Sequence, residues 1–192
     1  MREATLTEPE TPAPAESDAL LVQAAVRDPR AFAGLYRRYV APVHRYIYSR
    51  VSDRPCAEDL TAEVFARALK ALPAYREQGT FAAWLFSIVR RTVADHYRRS
   101  RSVLPLDAAG DAGCVRPDPL AQALEHEALA ELTERLARLN EDQREMLRLR
   151  YAAGLTYREI GQVLGKREAA VKMAVHRLLG RLHAEWEDGH AR

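Results

Sequence analysis

The stretch Leu155–Leu182, LTYREIGQVLGKREAAVKMAVHRLLGRL, decides the fold. Thr156 and Glu159 stand at the spacing of a capping box, in which a hydroxyl and a carboxylate each satisfy an orphan amide at a helix start. Gly165 can take the left-handed conformation that a tight turn at Gly165-Lys166-Arg167 requires. A second, longer helix is expected from about Glu168 to Ala184. For the pair to pack, Ile160 and Leu164 must meet Val171 and Val175, and Gly161 is small where the helices cross. This is a helix-turn-helix over 156–182. Its second helix would offer Arg167, Glu168, Lys172, Met173, His176 and Arg177 to a DNA major groove. One ordinary helical hairpin is the blander reading. The capping box, turn glycine and basic surface together favour DNA.

Working backwards, Asn140 with Gln143 repeats the capping signal, and Gly154 closes the helix it opens. Asp118-Pro119 opens an earlier helix to about Leu139, an acceptor followed by a proline that loses no amide bond. Ser102–Arg116, with Pro105, Gly110 and Gly113, reads as a flexible linker. Before it almost every segment has helical spacing and none sustains strand alternation. A short helix from about Asp18 to Val26 would bury Leu20, Leu21 and Ala24. After Asp28-Pro29, a second would bury Phe32, Leu35, Tyr36, Tyr39, Val43 and Ile47, with Pro42 expected to bend or split it. A third, 57–72, would bury Leu60, Val64, Phe65 and Leu69. A fourth, capped by Thr80 and running to about Arg99, would turn Trp84, Leu85, Ile88 and Val93 inward. The expected organisation is an all-α chain of two small helical domains. A disordered tail covers 1–17, the first domain 18–101, the linker 102–117 and the second domain 118–187.

Charge sorts along the same divisions. Residues 19–101 carry 15 Arg or Lys against seven acids, whereas 102–139 carry three against seven. A basic unit followed by an acidic connector suggests a polyanion-binding module joined to a segment that is not one. Only Lys70, Lys166 and Lys172 are lysines among 29 basic residues, a bias that explains the choice of arginine but not its clustering. Cys56 and Cys114 are isolated, so neither a disulfide framework nor a zinc site is expected, and no cofactor or metal. No apolar run reaches the roughly 18 residues needed to cross a bilayer. Met1 to Ser17 lacks the pattern of a secretory signal, so a cytoplasmic location without membrane insertion is expected.

Three stretches in this order resemble the bacterial RNA polymerase sigma factors, specifically the small extracytoplasmic-function (ECF) class. AEDLTAEVFARALKAL (57–72) is similar to region 2.2, FAAWLFSIVRRTVADHYRR (81–99) to regions 2.3 and 2.4, and the helix-turn-helix to region 4.2. The resemblance spans about Ala19 to Ala184 and implies a sigma region 2 bundle and a region 4 helix-turn-helix. It implies binding to core RNA polymerase, at the beta-prime clamp and the beta flap, and to promoter DNA. Asp59, Glu63 and Arg67 would make the polar contacts to the clamp, with Phe65 packed internally. Tyr75, Arg76, Phe81, Arg90, Arg91, Arg98 and Arg99 would meet the minus-ten strand, the arginines tracking phosphates and the rings stacking an extruded base. Trp84 reads better as core, while Phe81 fits either role. The recognition set already named would read the minus-thirty-five element. An anti-sigma factor as regulatory partner is implied by analogy, and regulation beyond the two domains would come from a partner or from the short tail. Two departures bear on the DNA sequence preferred: Arg167-Glu168 replaces a small polar cap, and Ala174 stands where an arginine is frequent. For the acidic connector, with Asp107, Asp111 and Asp118, a plain tether and a segment threading the polymerase channels remain open.

Two other classes compete. A stand-alone helix-turn-helix regulator would bind duplex DNA tightly without polymerase. An enzyme acting on nucleic acid would have to be built from Asp95-His96, Asp59, Glu63 and the scattered His44, His126, His176 and His183. Asp95 and His96 are adjacent on a helix and diverge by about 100°, and no phosphate loop, paired-histidine motif or nucleophile turn accompanies them. A non-enzymatic protein is expected.

Overall fold

In the computed structural model of the chain, residues 16–76, 79–101 and 133–190 are described. Among them every regular element is helical. The proposed tail, the 102–117 linker and most of the helix expected after Asp118 lie outside these residues. A helical turn over 133–137 is all that is seen of that helix.

The first group comprises α1 (Glu16–Arg27), α2 (Phe32–Val51), α3 (Arg54–Ala71) and α4 (Phe81–Arg101). Asp28 accepts the amide of Arg30 and Asp53 accepts that of Cys56, each ahead of a proline, so both helix entries are capped as their side chains dictate. Ser52 takes a left-handed conformation between α2 and α3. Pro42 does not split α2, which runs unbroken from Phe32 to Val51. Its core face is Phe32, Leu35, Val43, Tyr46 and Ile47, with Tyr36 exposed instead. On α1 the buried positions are Val22 and Ala25, while Leu20 is 70% exposed. Asp18 selects this rotation: it accepts from the Tyr39 hydroxyl and pairs with Arg38 at 2.9 Å, turning the 18/22/25 stripe inward. Burial, with Asp18 beside it, pushes the Tyr39 phenol far above its ordinary range. Leu69 is likewise exposed on α3, where Ala68 is buried.

The second group comprises α5 (Glu141–Leu147), α6 (Tyr157–Leu164) and α7 (Glu168–His190). Both expected capping boxes form, Asn140 with Gln143 and Thr156 with Glu159. After α5 the backbone widens into a π-helical turn, Arg148–Ala152, in which the Ala153 amide donates to the Arg148 carbonyl at 3.0 Å. Arg150 is buried there, donating to the Leu155 carbonyl at 3.0 Å and lying 4.8 Å from the Tyr157 ring centroid. The two groups meet in one continuous buried cluster, α2 against the π turn and α4 against α6.

Candidate nucleic-acid and polymerase interfaces

The recognition surface follows from how α6 and α7 cross. Ile160, Val171 and Val175 are fully buried between them, and Leu164 is half-buried. Gly165 has φ 65°, and the Lys166 amide donates to the Gly161 carbonyl at 2.8 Å, closing the turn. A Cβ on Gly161 would stand 2.6 Å from the Lys166 carbonyl oxygen, so the crossing tolerates no side chain there. With one face of α7 so committed, Arg167, Glu168, Lys172, Met173, His176 and Arg177 all project from the other and are exposed, Met173 by 56%. His176 leans on Tyr157, ring centroids 6.0 Å apart, and Arg177 Nε donates to the Met173 carbonyl at 3.3 Å. A one-turn-wide strip carrying three cations and two adaptable side chains can enter a major groove.

On the first group, the residues expected at a minus-ten strand divide by environment. Phe81 is only 3% exposed, with the rings of Tyr39, Tyr75 and Trp84 at 5.5, 6.0 and 5.3 Å, so it packs the core. Tyr75 and Trp84, half-buried and edge-to-face at 5.1 Å, are the rings nearer the surface. Thr80 caps α4 through the Ala83 amide, and Arg76 and Arg91 are exposed. Arg90 is half-buried and already committed: Nε donates to Glu145 at 2.7 Å and a terminal nitrogen to the Val163 carbonyl at 3.2 Å.

The three residues expected at the polymerase clamp are also unequal. Asp59 is exposed on α3, whereas Glu63 and Arg67 pair with each other. Arg67 also reaches Asp95 on α4 at 3.0 Å, Arg98 pairs with Asp95, and Arg99 reaches Glu63 at 3.4 Å. The hydrogen bond from Arg67, joined by that from Arg98, holds the Asp95 carboxyl below its ordinary value. The same contact, with Glu63 adding to it, raises the Arg67 guanidinium. This network ties α3 to α4. Because Asp95 is more acidic folded than unfolded, its contribution is fully present above the ordinary aspartate value of 3.8 and is lost as pH falls through the depressed one. Asp95→Asn should therefore lower the melting temperature at neutral pH, and its gap from the parent should close below that value. A gap of constant size in acid would contradict the network.

The raw material for catalysis does not converge. Asp95 belongs to the ion network, and His96 Nε2 lies 3.6 Å from Cys56 Sγ and 3.5 Å from Ser100. Burial raises the Cys56 thiol. His126 lies outside the described residues. Among the described residues no group of three potential metal ligands occurs, and no helix is long and apolar enough to cross a membrane.

What the sequence reading missed is a carboxylate between the two groups. Glu145 of α5 is 5% exposed and accepts from Tyr46 Oη at 2.7 Å, Arg90 Nε at 2.7 Å and Arg50 at 3.1 Å. Burial and the facing Glu145 push the Tyr46 phenol far up. Burial opposes the charge on Arg50, but Tyr46, Glu145 and Glu141 outweigh it and the guanidinium is raised. No periodicity encodes partners 55 to 99 residues apart.

With this geometry in hand, comparison with known proteins is direct. The Sigma-70 region 2 family matches residues 35–103, and the Sigma-70 region 4 family matches 129–182. The ECF RNA polymerase sigma factor BldN of Streptomyces coelicolor is 40% identical over 161 residues, 82% of this chain and 61% of BldN's own length. The ECF RNA polymerase sigma factor ShbA of Streptomyces griseus is 39% identical over 155 residues, 73% of this chain and 79% of its own. The structure of CnrH in complex with the cytosolic domain of CnrY shares the fold, with TM-score 0.61, 24% identity, 90% of this chain and 98% of that one covered. Two region families in the expected order, together with 39% identity over 79% of ShbA's length, carry one conclusion: the chain belongs to the ECF RNA polymerase sigma factors.

Proposed function

We propose that the chain is a non-catalytic, cytoplasmic subunit that binds core RNA polymerase and directs initiation at particular promoters. In this reading α3 docks on the beta-prime clamp, the second group meets the beta flap, α4 and the loop before it hold the minus-ten strand, and α7 reads the minus-thirty-five element. The observation that carries the reading is the exposed strip of α7, six residues from Arg167 to Arg177 held out by a closed helix crossing. An anti-sigma factor is the further partner proposed. CnrH, which shares the fold, was solved with a protein partner, the cytosolic domain of CnrY.

The docking role is tested at Asp59, which is exposed, rather than at Glu63, whose reversal would also break its pairs with Arg67 and Arg99. Asp59→Arg should weaken the affinity for core polymerase by about 10-fold or more, since like charge at an interface is strongly disfavoured, with circular dichroism unchanged. An unaltered affinity would remove Asp59 from the interface. A stand-alone duplex-binding regulator would show no affinity for core enzyme in either form.

A further inference from the structure

We propose that Glu145 is an intramolecular latch. In the free chain it clamps the helix-turn-helix group onto the face of α4 that carries Arg90, so that the protein rests closed. In that state Arg90 of the expected minus-ten set is engaged, whereas Arg76, Arg91 and the recognition strip of α7 are exposed. Three observations lead there. First, among the described residues every hydrogen-bond donor to the buried Glu145 carboxylate belongs to the other helix group: Tyr46 and Arg50 on α2, Arg90 on α4. A buried charge costs stability unless it is paired, and a group that had only to fold itself would gain nothing from one here. When the groups part, water solvates Glu145 and both arginines. The contact is therefore satisfied closed and tolerable open, as a reversible interface requires.

Second, beside the apolar cluster the two groups share, further polar contacts cross between them. Arg45 Nε donates to the Ala152 carbonyl at 3.1 Å, Arg90 to the Val163 carbonyl at 3.2 Å, and the Thr80 amide to Gln162 Oε1 at 3.3 Å. Arg50 also pairs with Glu141. Like the bonds to Glu145, these are exchanged for bonds to water when the groups part.

Third, the engagement is one-sided. Arg90 has its guanidinium occupied, and a Cβ on Gly79 would stand 3.1 Å from Gln162, so α6 sits against the loop preceding α4. The recognition residues of α7 meanwhile remain exposed. That Arg90 meets the minus-ten strand rests on the proposed function. The closed state and its latch do not.

The test uses the full chain without DNA or polymerase, with Cys56→Ser and Cys114→Ser as background. Fluorescence transfer is measured between dyes at Lys70→Cys on α3 and Arg181→Cys on α7, both exposed positions. Transfer is followed through a urea titration, beside helix content by circular dichroism. The parent should show high transfer in buffer. Glu145→Gln should lower the closed-to-open ratio by about 10-fold, as expected for a charged hydrogen-bonded group, and separate at lower urea with helix content intact. Tyr46→Phe, which keeps the ring packed edge-to-face on Phe86 at 5.7 Å, should lower it about 3-fold and serves if the first variant folds poorly. Identical separation midpoints for all three proteins, or a parent already open in buffer, would overturn the latch. Loss of core-polymerase binding by the parent would instead overturn the proposed function and leave the latch standing.

Discussion

Replacing both Lys172 and Arg177 by alanine is expected to reduce transcription about 100-fold from promoters that depend on the minus-thirty-five element, while promoters that do not need it lose little. Each groove contact of this type carries about 1–3 kcal/mol, so two together correspond to a loss of that order. Neither residue supports the fold. Both side chains are exposed, and among the described residues Arg177 bonds to the Met173 carbonyl one turn back along its own helix. The measurement is initiation on matched templates with and without the upstream element. The double variant should also show a shallower dependence of binding on salt, because fewer counterions are released. An equal loss on every template would mean that α7 does not read the groove.

The second large effect is steric. Gly161→Ala places a methyl group where the Lys166 carbonyl oxygen stands 2.6 Å away and the Glu168 amide nitrogen 3.4 Å away. Both neighbours are backbone and cannot swing aside, so the turn must shift and the aim of α7 with it. Overpacking of this kind costs about 1–3 kcal/mol, which should lower the melting temperature by about 3–10 °C and weaken minus-thirty-five recognition in parallel. Gly180→Ala is the matched control. A Cβ there, in α7 rather than α6, meets nothing within 4 Å, so the exchange should be neutral or stabilising. Equal melting temperatures for the two variants would refute the close crossing.

These contrasts separate what was legible in the sequence from what was not. Caps were legible because they are local: Asn140 with Gln143 and Thr156 with Glu159 each act within one turn. The helix-turn-helix was legible because Ile160, Val171 and Val175 are spaced for burial and the left-handed turn falls on a glycine. The rotation of α1 was not. Leu20 and Leu21 outweigh Val22 and Ala25 in any hydrophobic pattern, and only the long-range partners of Asp18 turn the helix the other way. Tyr46 was overlooked because a phenol mid-helix reads as surface until its hydroxyl meets Glu145. Pro42 lies within an unbroken helix packed on its neighbours, where tertiary contacts outweigh a local preference. Among the candidate site residues, those on α7 kept the exposure that their spacing implied. Phe81, Arg90, Glu63 and Arg67 acquired partners from other helices that no pattern along the chain discloses.

The central claim is that this chain chooses where polymerase begins. Core enzyme with and without the purified protein, on fragmented genomic DNA, should give transcripts whose 5′ ends gather at a limited set of new positions only when the protein is present, and those positions should share upstream sequence. Unchanged 5′ ends, with the protein failing to travel with core enzyme, would contradict the account.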